Sequence, residues 1–234
     1  MIKKIMRKII YPNTYNSEVF KKYLIKKGCL IGKNTFFYSP RTTTIDVQNA
    51  CFIKIGDNCK ITQGVTILAH DFSYSVLRPI YHEIPKKAAI TEIGNNVFLG
   101  MHSIILMGSK IGNNVIIGAG SVVSGRIPDN EVWAGNPARF ICNIEEYYEK
   151  CKSKFEDSAK LTVRQYNERY GRNPTIQELQ YFATLFLNNQ DYALENYKNM
   201  SFQGDDSNLV IEDCLRYKSK YKNYDEFIEE AKNE

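Results

Sequence analysis

The chain has 234 residues, 43% of them hydrophobic and 24% charged, and a formal net charge of +5. These values suit one or two globular domains and exclude a disordered tail protein or a collagen-like one. The charge is unevenly spread. Residues 1–33 hold nine Lys/Arg against one Glu, residues 34–144 nine against seven acids, and residues 145–234 thirteen against eighteen.

The opening stretch, MIKKIMRKIIYPNTYN, interleaves apolar residues with Lys and Arg. Residues 1–27 are expected to form a helical segment packed on the body with its Lys side facing water. Contact with an acidic membrane surface is the less favoured use of the same face. The stretch has neither the continuous apolar region nor the cleavage pattern of a secretory signal. No run approaches the roughly 18–20 apolar residues that span a bilayer. The six cysteines form no CxxC pair and no metal-ligand spacing, so buried thiols in a reduced, cytoplasmic setting are expected, with no metal.

Residues 28–143 carry a repeat. Ile93, Leu99, Ile105, Ile111, Ile117 and Val123 follow one another every six residues, and Ile55, Ile61 and Ile67 keep the same step upstream. Two places before most of them stands a small or β-branched residue: Cys59, Val65, Val97, Ser103, Ser109, Val115 and Ser121. A period of six does not fit a helix, whose period is 3.6. It fits a solenoid of short strands and tight corners, three hexads to a triangular coil, with the aliphatic residue and the small residue both pointing inward. Gly and Asn in IGDN and IGNN suit the corners. One coil cannot bury its own apolar face, so four to five stacked coils supply the core. The grid is interrupted by a loop at 70–92.

Residues 144–234 lose the grid. Tyr148, Cys151, Phe155, Ala159 and Val163 have helical spacing, Gly171 and Pro174 break it, and Thr175 with Glu178 has the capping-box pattern that opens a second helix through LQYFATLFL. Shorter helices are expected near 211–218 and 225–232. Some ninety residues is small for an independent domain.

The motif [Ile/Leu/Val]-Gly-x-x-x-x, the stretch IGNNVIIGAGSVVSGRIPDNEVWAGNPARFI and the interrupting loop resemble the hexapeptide-repeat acyltransferases. The segment TTTIDVQNACFIKIGDNCKITQGVTILAHDFSYSVLRP is most similar to O-acetyltransferases of capsule and exopolysaccharide clusters. The resemblance implies a mainly β protein, a left-handed parallel β-helix (a triangular prism), with a short N-terminal helix and a C-terminal α-helical extension. It implies a homotrimer, acetyl-CoA as co-substrate and a sugar or polysaccharide acceptor.

Acetyl transfer from a thioester to a hydroxyl needs a base, an oxyanion donor and in-line positioning. Histidine is the natural base near neutral pH. His70, in TILAHD at the edge of the loop, matches the catalytic histidine of related sugar acetyltransferases. Asp71 is adjacent, but a neighbour on an extended segment points the opposite way, so it suits holding the loop or the substrate, whereas Asp46, one coil earlier, is placed to approach His70 or the acceptor hydroxyl from the stacked layer. His82 is expected in a solvated loop and His102 in an outward slot. By resemblance, coenzyme A would touch Met101, Gly118, Ala119, Ser124 and Arg139, with Arg139 near the adenosine phosphates. Family members often carry Lys directly after the Ser/Thr of this turn, where this chain has Gly125 and then Arg126. N-acylation of an amino sugar on the same scaffold, or a catalytically silent β-helix module, are the alternatives. A nucleic-acid role is disfavoured by the acidic tail and the missing stacking platform.

Overall fold

The computed structural model describes residues 6, 8, 10–187, 190–200, 202 and 204–233. The basic start over 1–10, with its possible membrane contact, therefore lies largely outside the described residues. The chain divides into two units, residues 1–147 and 148–234.

Three sheets of short parallel strands build the first unit. Sheet one stacks Leu30–Ile31, Ile53–Ile55, Thr91–Ile93, Lys110–Ile111 and Arg126–Ile127. Sheet two stacks Phe36–Phe37, Lys60–Ile61, Phe98–Leu99, Ile116–Ile117 and Glu131–Ala134, and sheet three Thr44–Ile45, Thr66–Ile67, Ile104–Ile105 and Val122–Val123. The chain visits the sheets in turn, once per coil, which is the left-handed parallel β-helix. All nine aliphatics of the six-residue grid are at most 4% exposed, and all seven small-slot residues at most 1%. Both slots face inward, so each coil completes its core only against its neighbours.

The coils are less uniform than the grid. Ile93 pairs with Ile111 and Leu99 with Ile117, a step of eighteen residues, but Ile111 pairs with Ile127, a step of sixteen. Ile31 pairs with Ile55, a step of twenty-four, because a 3₁₀ turn at Val47–Phe52 and a wider bend at 39–43 are inserted. Across the loop the step from Ile55 to Ile93 is thirty-eight, yet the pairing keeps its register.

One corner explains the Gly-x-Asn pattern. Asn34, Asn58, Asn96, Asn114 and Asn130 hold φ between 54 and 63°, the left-handed region that Asn tolerates better than most side chains. Their neighbours form a ladder: side-chain oxygens of Asp57, Asn95, Asn113 and Asp129 accept from the backbone N–H of Lys33, Asp57, Asn95 and Asn113 at 2.6–2.8 Å. The Asn113 N–H, with its side chain, holds the Asp129 carboxyl below its ordinary range. Gly94 is required here, since a Cβ would lie 2.5 Å from the Gly112 carbonyl oxygen of the next coil.

Helix α1 (Ser17–Lys27) packs on the first coil. The Asn16 side chain caps it from Val19 N–H at 2.9 Å, and Gly28 (φ 113°) stops it. Phe20 sets its ring edge on Phe37 at 5.0 Å, and Ser17 Oγ accepts from Phe37 N–H at 2.9 Å. At the other end the strand Arg139–Asn143 turns antiparallel on Glu131–Ala134, and Trp133 packs against the core. Between coils two and three an arm leaves the prism, carrying helix α2 (Tyr74–Tyr81). Its neck is closed by antiparallel pairing of His70 with Ala88 and Asp71 with Lys87.

The second unit begins within α3 (Ile144–Ser153), which crosses the boundary, and continues through α4 (Phe155–Tyr170), α5 (Ile176–Leu179), α6 (Gln190–Lys198), α7 (Ser207–Arg216) and α8 (Tyr224–Asn233). Phe186, Tyr197 and Phe227 are at most 2% exposed and anchor its core with Ala159, Val163 and Ala231. Glu156 ties α4 to the chain before α8, accepting from Lys220 Nζ at 2.7 Å and Tyr221 Oη at 2.6 Å. The capping box forms, Glu178 N–H on Thr175 Oγ1 at 3.2 Å and Thr175 N–H on Glu178 Oε2 at 2.8 Å. The helix it opens is a single turn. Gln180 takes φ 48°, and the chain continues as a 3₁₀ turn to Leu185, which lets Ala183, Thr184, Leu185, Phe186 and Leu187 all bury in succession. Helix α6, unmarked in the pattern, is an addition. Three of the six free cysteines, Cys29, Cys59 and Cys214, are buried, whereas Cys51 and Cys151 are exposed. Among the described residues no helix is long and apolar enough to cross a membrane.

Candidate active site

His70 sits where the third strand of coil two would turn into the next sheet, at the neck of the arm. Asp46 occupies the same corner one coil earlier, because Ile45 and Ile67 are stacked in register. The two side chains meet: His70 Nδ1 is hydrogen-bonded to Asp46 Oδ2. Asp46 is held from two further directions, by Ala69 N–H on Oδ2 at 3.1 Å and by Asn49 N–H on Oδ1 at 3.3 Å. Its side chain is 3% exposed, that of His70 18%.

Burial pushes the Asp46 carboxyl up, but the bonds from His70 and the Ala69 N–H outweigh it, and the group stays below its ordinary range. Asp46 is thus a carboxylate near neutral pH and can only accept. The proton of the neutral imidazole is fixed on Nδ1, and Nε2 keeps its lone pair for an outside proton. A partly exposed imidazole oriented by a buried carboxylate is the arrangement of a general base.

Asp71 is turned to a different task. Its oxygens accept from Ser73 N–H at 2.7 Å and Ser73 Oγ at 2.8 Å, which folds the start of the arm. The Ser73 N–H and then its hydroxyl hold the Asp71 carboxyl low. The structure therefore joins His70 to Asp46, while Asp71 binds the arm. The anchoring N–H groups of Ala69 and Asn49 were not singled out from sequence. Their one advance sign was Asp46 itself, an acidic residue preceding the turn Val47–Phe52 as a cap.

Met101 and Ala119 stack in the corner between sheets two and three, with Gly120 N–H on the Met101 carbonyl at 2.7 Å. Gly118 precedes Ala119 there, and a Cβ on it would press on Ala134 Cβ at 2.8 Å. Ser124 lies exposed in the other corner of sheet three, the corner His70 occupies two coils earlier. Arg139 is exposed on the antiparallel strand, its Nη1 donating to the Ala138 carbonyl at 3.1 Å. Within one chain, then, sheet three separates Met101, Gly118 and Ala119 from His70 and Ser124. His82 ends α2 at φ 56° and is exposed. His102, at φ 59°, lies over Gly64, where any Cβ would run into the imidazole.

Residues 90–125 match the family model described as bacterial transferase hexapeptide (six repeats). The chain is 38% identical over 168 residues to Protein CapG of Staphylococcus aureus, covering 72% of this chain and 92% of that one. It is 38% identical over 120 residues to galactoside O-acetyltransferase of Escherichia coli (strain K12), covering 50% of this chain and 54% of that one. A solved structure of galactoside acetyltransferase in complex with coenzyme A is 28% identical, with a TM-score of 0.41 over 56% of this chain and 73% of that one.

Proposed function

The chain belongs to the hexapeptide-repeat family of bacterial transferases, and from that premise we propose that it is an acetyl-CoA-dependent O-acetyltransferase. Its acceptor is a sugar hydroxyl, in a capsular or other surface polysaccharide or its precursor. The observation that carries this reading is the Asp46–His70 pair at the neck of the arm, with Nε2 left to take a proton.

In the reaction His70 Nε2 accepts the hydroxyl proton as the sugar oxygen attacks the thioester carbonyl. Collapse of the tetrahedral adduct breaks the C–S bond, and the imidazolium returns the proton to the departing thiolate. No acyl group is carried by the enzyme. Asp46 stabilises the imidazolium that forms between the two steps without itself taking the proton. The small side chain of Ala119 leaves room for a pantetheine arm along the corner, and Arg139 suits its phosphates.

A trimer with shared sites fits the same features. His70 and the Met101–Ala119 corner lie on different edges of one chain, so a groove between two prisms brings one set from each. The arm exposes Phe72 at 62%, Val76 at 63%, Ile80 at 61% and Ile84 at 63%, an apolar set that a neighbouring copy would cover. The six free thiols suit a reducing, cytoplasmic compartment.

His70→Ala tests the assignment. Acetyl transfer from acetyl-CoA to the acceptor, followed by thiol release, is expected to fall by about 10²–10⁴-fold, the usual contribution of a positioned general base. Near-normal turnover in that variant would remove His70 from the mechanism. Mild alkali should strip the acetyl from the product; an alkali-stable product would mean an amide and an amino-sugar acceptor.

A further inference from the structure

The helical unit holds a cavity of about 470 Å³ that the acetyl-transfer reading leaves unused. Four aromatic rings line it: Tyr148 of α3, Phe155 of α4, Tyr181 of the 3₁₀ turn and Tyr217 just after α7. Tyr148 is 57% exposed, Tyr181 41% and Tyr217 45%. Phe155 stands in the middle, its ring 6.0 Å from Tyr217 and 5.2 Å from Phe182. The helical stripe of the sequence therefore splits in two. Ala159 and Val163 enter the core, whereas Tyr148 and Cys151, at the same spacing, are left on a concave surface.

The chemistry of the lining selects a ligand class. A pocket for a fatty or isoprenoid chain would be walled by aliphatic side chains, and among the described residues Val210 is the one aliphatic here. Rings with hydroxyl tips offer a flat apolar face beside a polar edge, which matches a pyranose with its C–H face and its ring of hydroxyls. The rim carries both signs of charge. Lys152 Nζ lies 5.5 Å from the centre of the Tyr148 ring, and Asp213, also in the lining, is 76% exposed in its side chain and reaches Arg216 at 3.6 Å. A hydroxyl-rich ligand can donate to the carboxylate and accept from the ammonium. Cys214 in the wall has its thiol pushed up by burial and then by Asp213, which keeps it a neutral lining group rather than a nucleophile.

We propose that the C-terminal helical unit carries a second carbohydrate-binding site, in which Tyr181, Tyr217 and Tyr148 stack a sugar of the acceptor polymer away from the acetylated unit. The proposal rests on the sugar-acceptor reading for the identity of the polymer, but not on His70 being the base. A site of this kind raises the residence of a long chain on the enzyme while leaving a short acceptor unaffected.

The test uses the full chain and a panel of neutral, N-acetylated and uronic-acid oligosaccharides of two to eight units, with palmitate and farnesyl phosphate as apolar probes. Binding is followed by saturation-transfer NMR and calorimetry. Oligosaccharide binding is expected, weakened roughly tenfold by Tyr217→Ala and by Tyr181→Ala, and retained in Tyr217→Phe and in His70→Ala. Turnover of a short acceptor should stay unchanged in both alanine variants while KM for a long one rises. Sugar binding indifferent to both alanine substitutions, or seating of palmitate or farnesyl phosphate with every sugar excluded, overturns the proposal. Loss of transfer in His70→Ala without loss of glycan binding keeps the two readings separate. If no acceptor is ever acetylated but Tyr217-dependent glycan binding persists, the enzymatic reading falls and this one stands. Unchanged circular dichroism spectra confirm that the variants fold.

Discussion

The β-prism and the helical unit bury side chains of similar kind, yet they store the information for doing so differently. In the prism the same decision is made at every sixth residue, and Ile61, Leu99 and Ile117 stack in register on one another from coil to coil. In the helical unit Phe186, Tyr197 and Phe227 fill one irregular core, and no position repeats another. A repeated core is redundant along its axis and local in its contacts. A single irregular core is neither, so one lost residue is felt by the whole unit.

The largest effect expected concerns an unrepeated contact of the prism, the bond between Asp46 and His70. Asp46→Asn keeps the shape but gives Nδ1 a group that can donate as well as accept, so kcat should fall by about 10²–10⁴-fold with KM for acetyl-CoA little changed. An unaffected kcat would return the orienting role to another group. Next come the cores. Leu99→Ala should cost about 2–5 kcal/mol and Phe227→Ala about 3–5 kcal/mol. Calorimetry should place the first loss in the transition of the prism and the second in that of the helices. Equal shifts of both transitions by either substitution would dissolve the contrast between the two regions.

Acid sharpens it further. The bidentate bond from Arg172, followed by the Thr175 N–H, brings Glu178 down to about 2 from an ordinary 4.5. A group lowered on folding stabilises at pH above its unfolded value and loses that contribution as pH falls through its folded one. Glu178 should therefore weaken the helical unit as pH falls from about 4.5 toward 2, and Glu178→Gln should flatten that limb of a stability–pH curve. A limb of the same steepness in the variant would count against the assignment. The smallest effects come from two buried hydroxyls without a hydrogen-bond partner among the described residues, Ser103 Oγ in the prism and Tyr197 Oη among the helices. Ser103→Ala and Tyr197→Phe should each be neutral or stabilising by up to about 1 kcal/mol in denaturant melts. Clear destabilisation by either would reveal a partner for that oxygen.

The same contrast governs what the sequence discloses. Six-residue spacing identified the inward residues of coils two to four because each coil restates the rule. It missed the sixteen-residue step to Ile127 and the inserted turn at Val47–Phe52, where a coil departs from its neighbours once only. The partner of His70 was ambiguous for the same reason. Alternation along the chain turns Asp71 away from its neighbour, and stacking of Ile45 on Ile67 brings Asp46 alongside. In the tail, the capping box and the glycine stop at Gly171 act within a few residues and were legible. The single-turn α5 and the whole of α6 were not, since burial there is decided by partners far along the chain.

The arm shows what an undisturbed register allows. Thr91 Oγ1 bonds the Leu68 carbonyl at 2.6 Å, Ala89 N–H bonds the Ala69 carbonyl at 3.0 Å, and Ile55 still lies against Ile93. Nothing from 72 to 86 enters a strand of the prism. The neck works as a socket: the segment beyond it can be exchanged for one of another length or chemistry while the stacked coils, and the carboxylate that aims the imidazole, stay where they are.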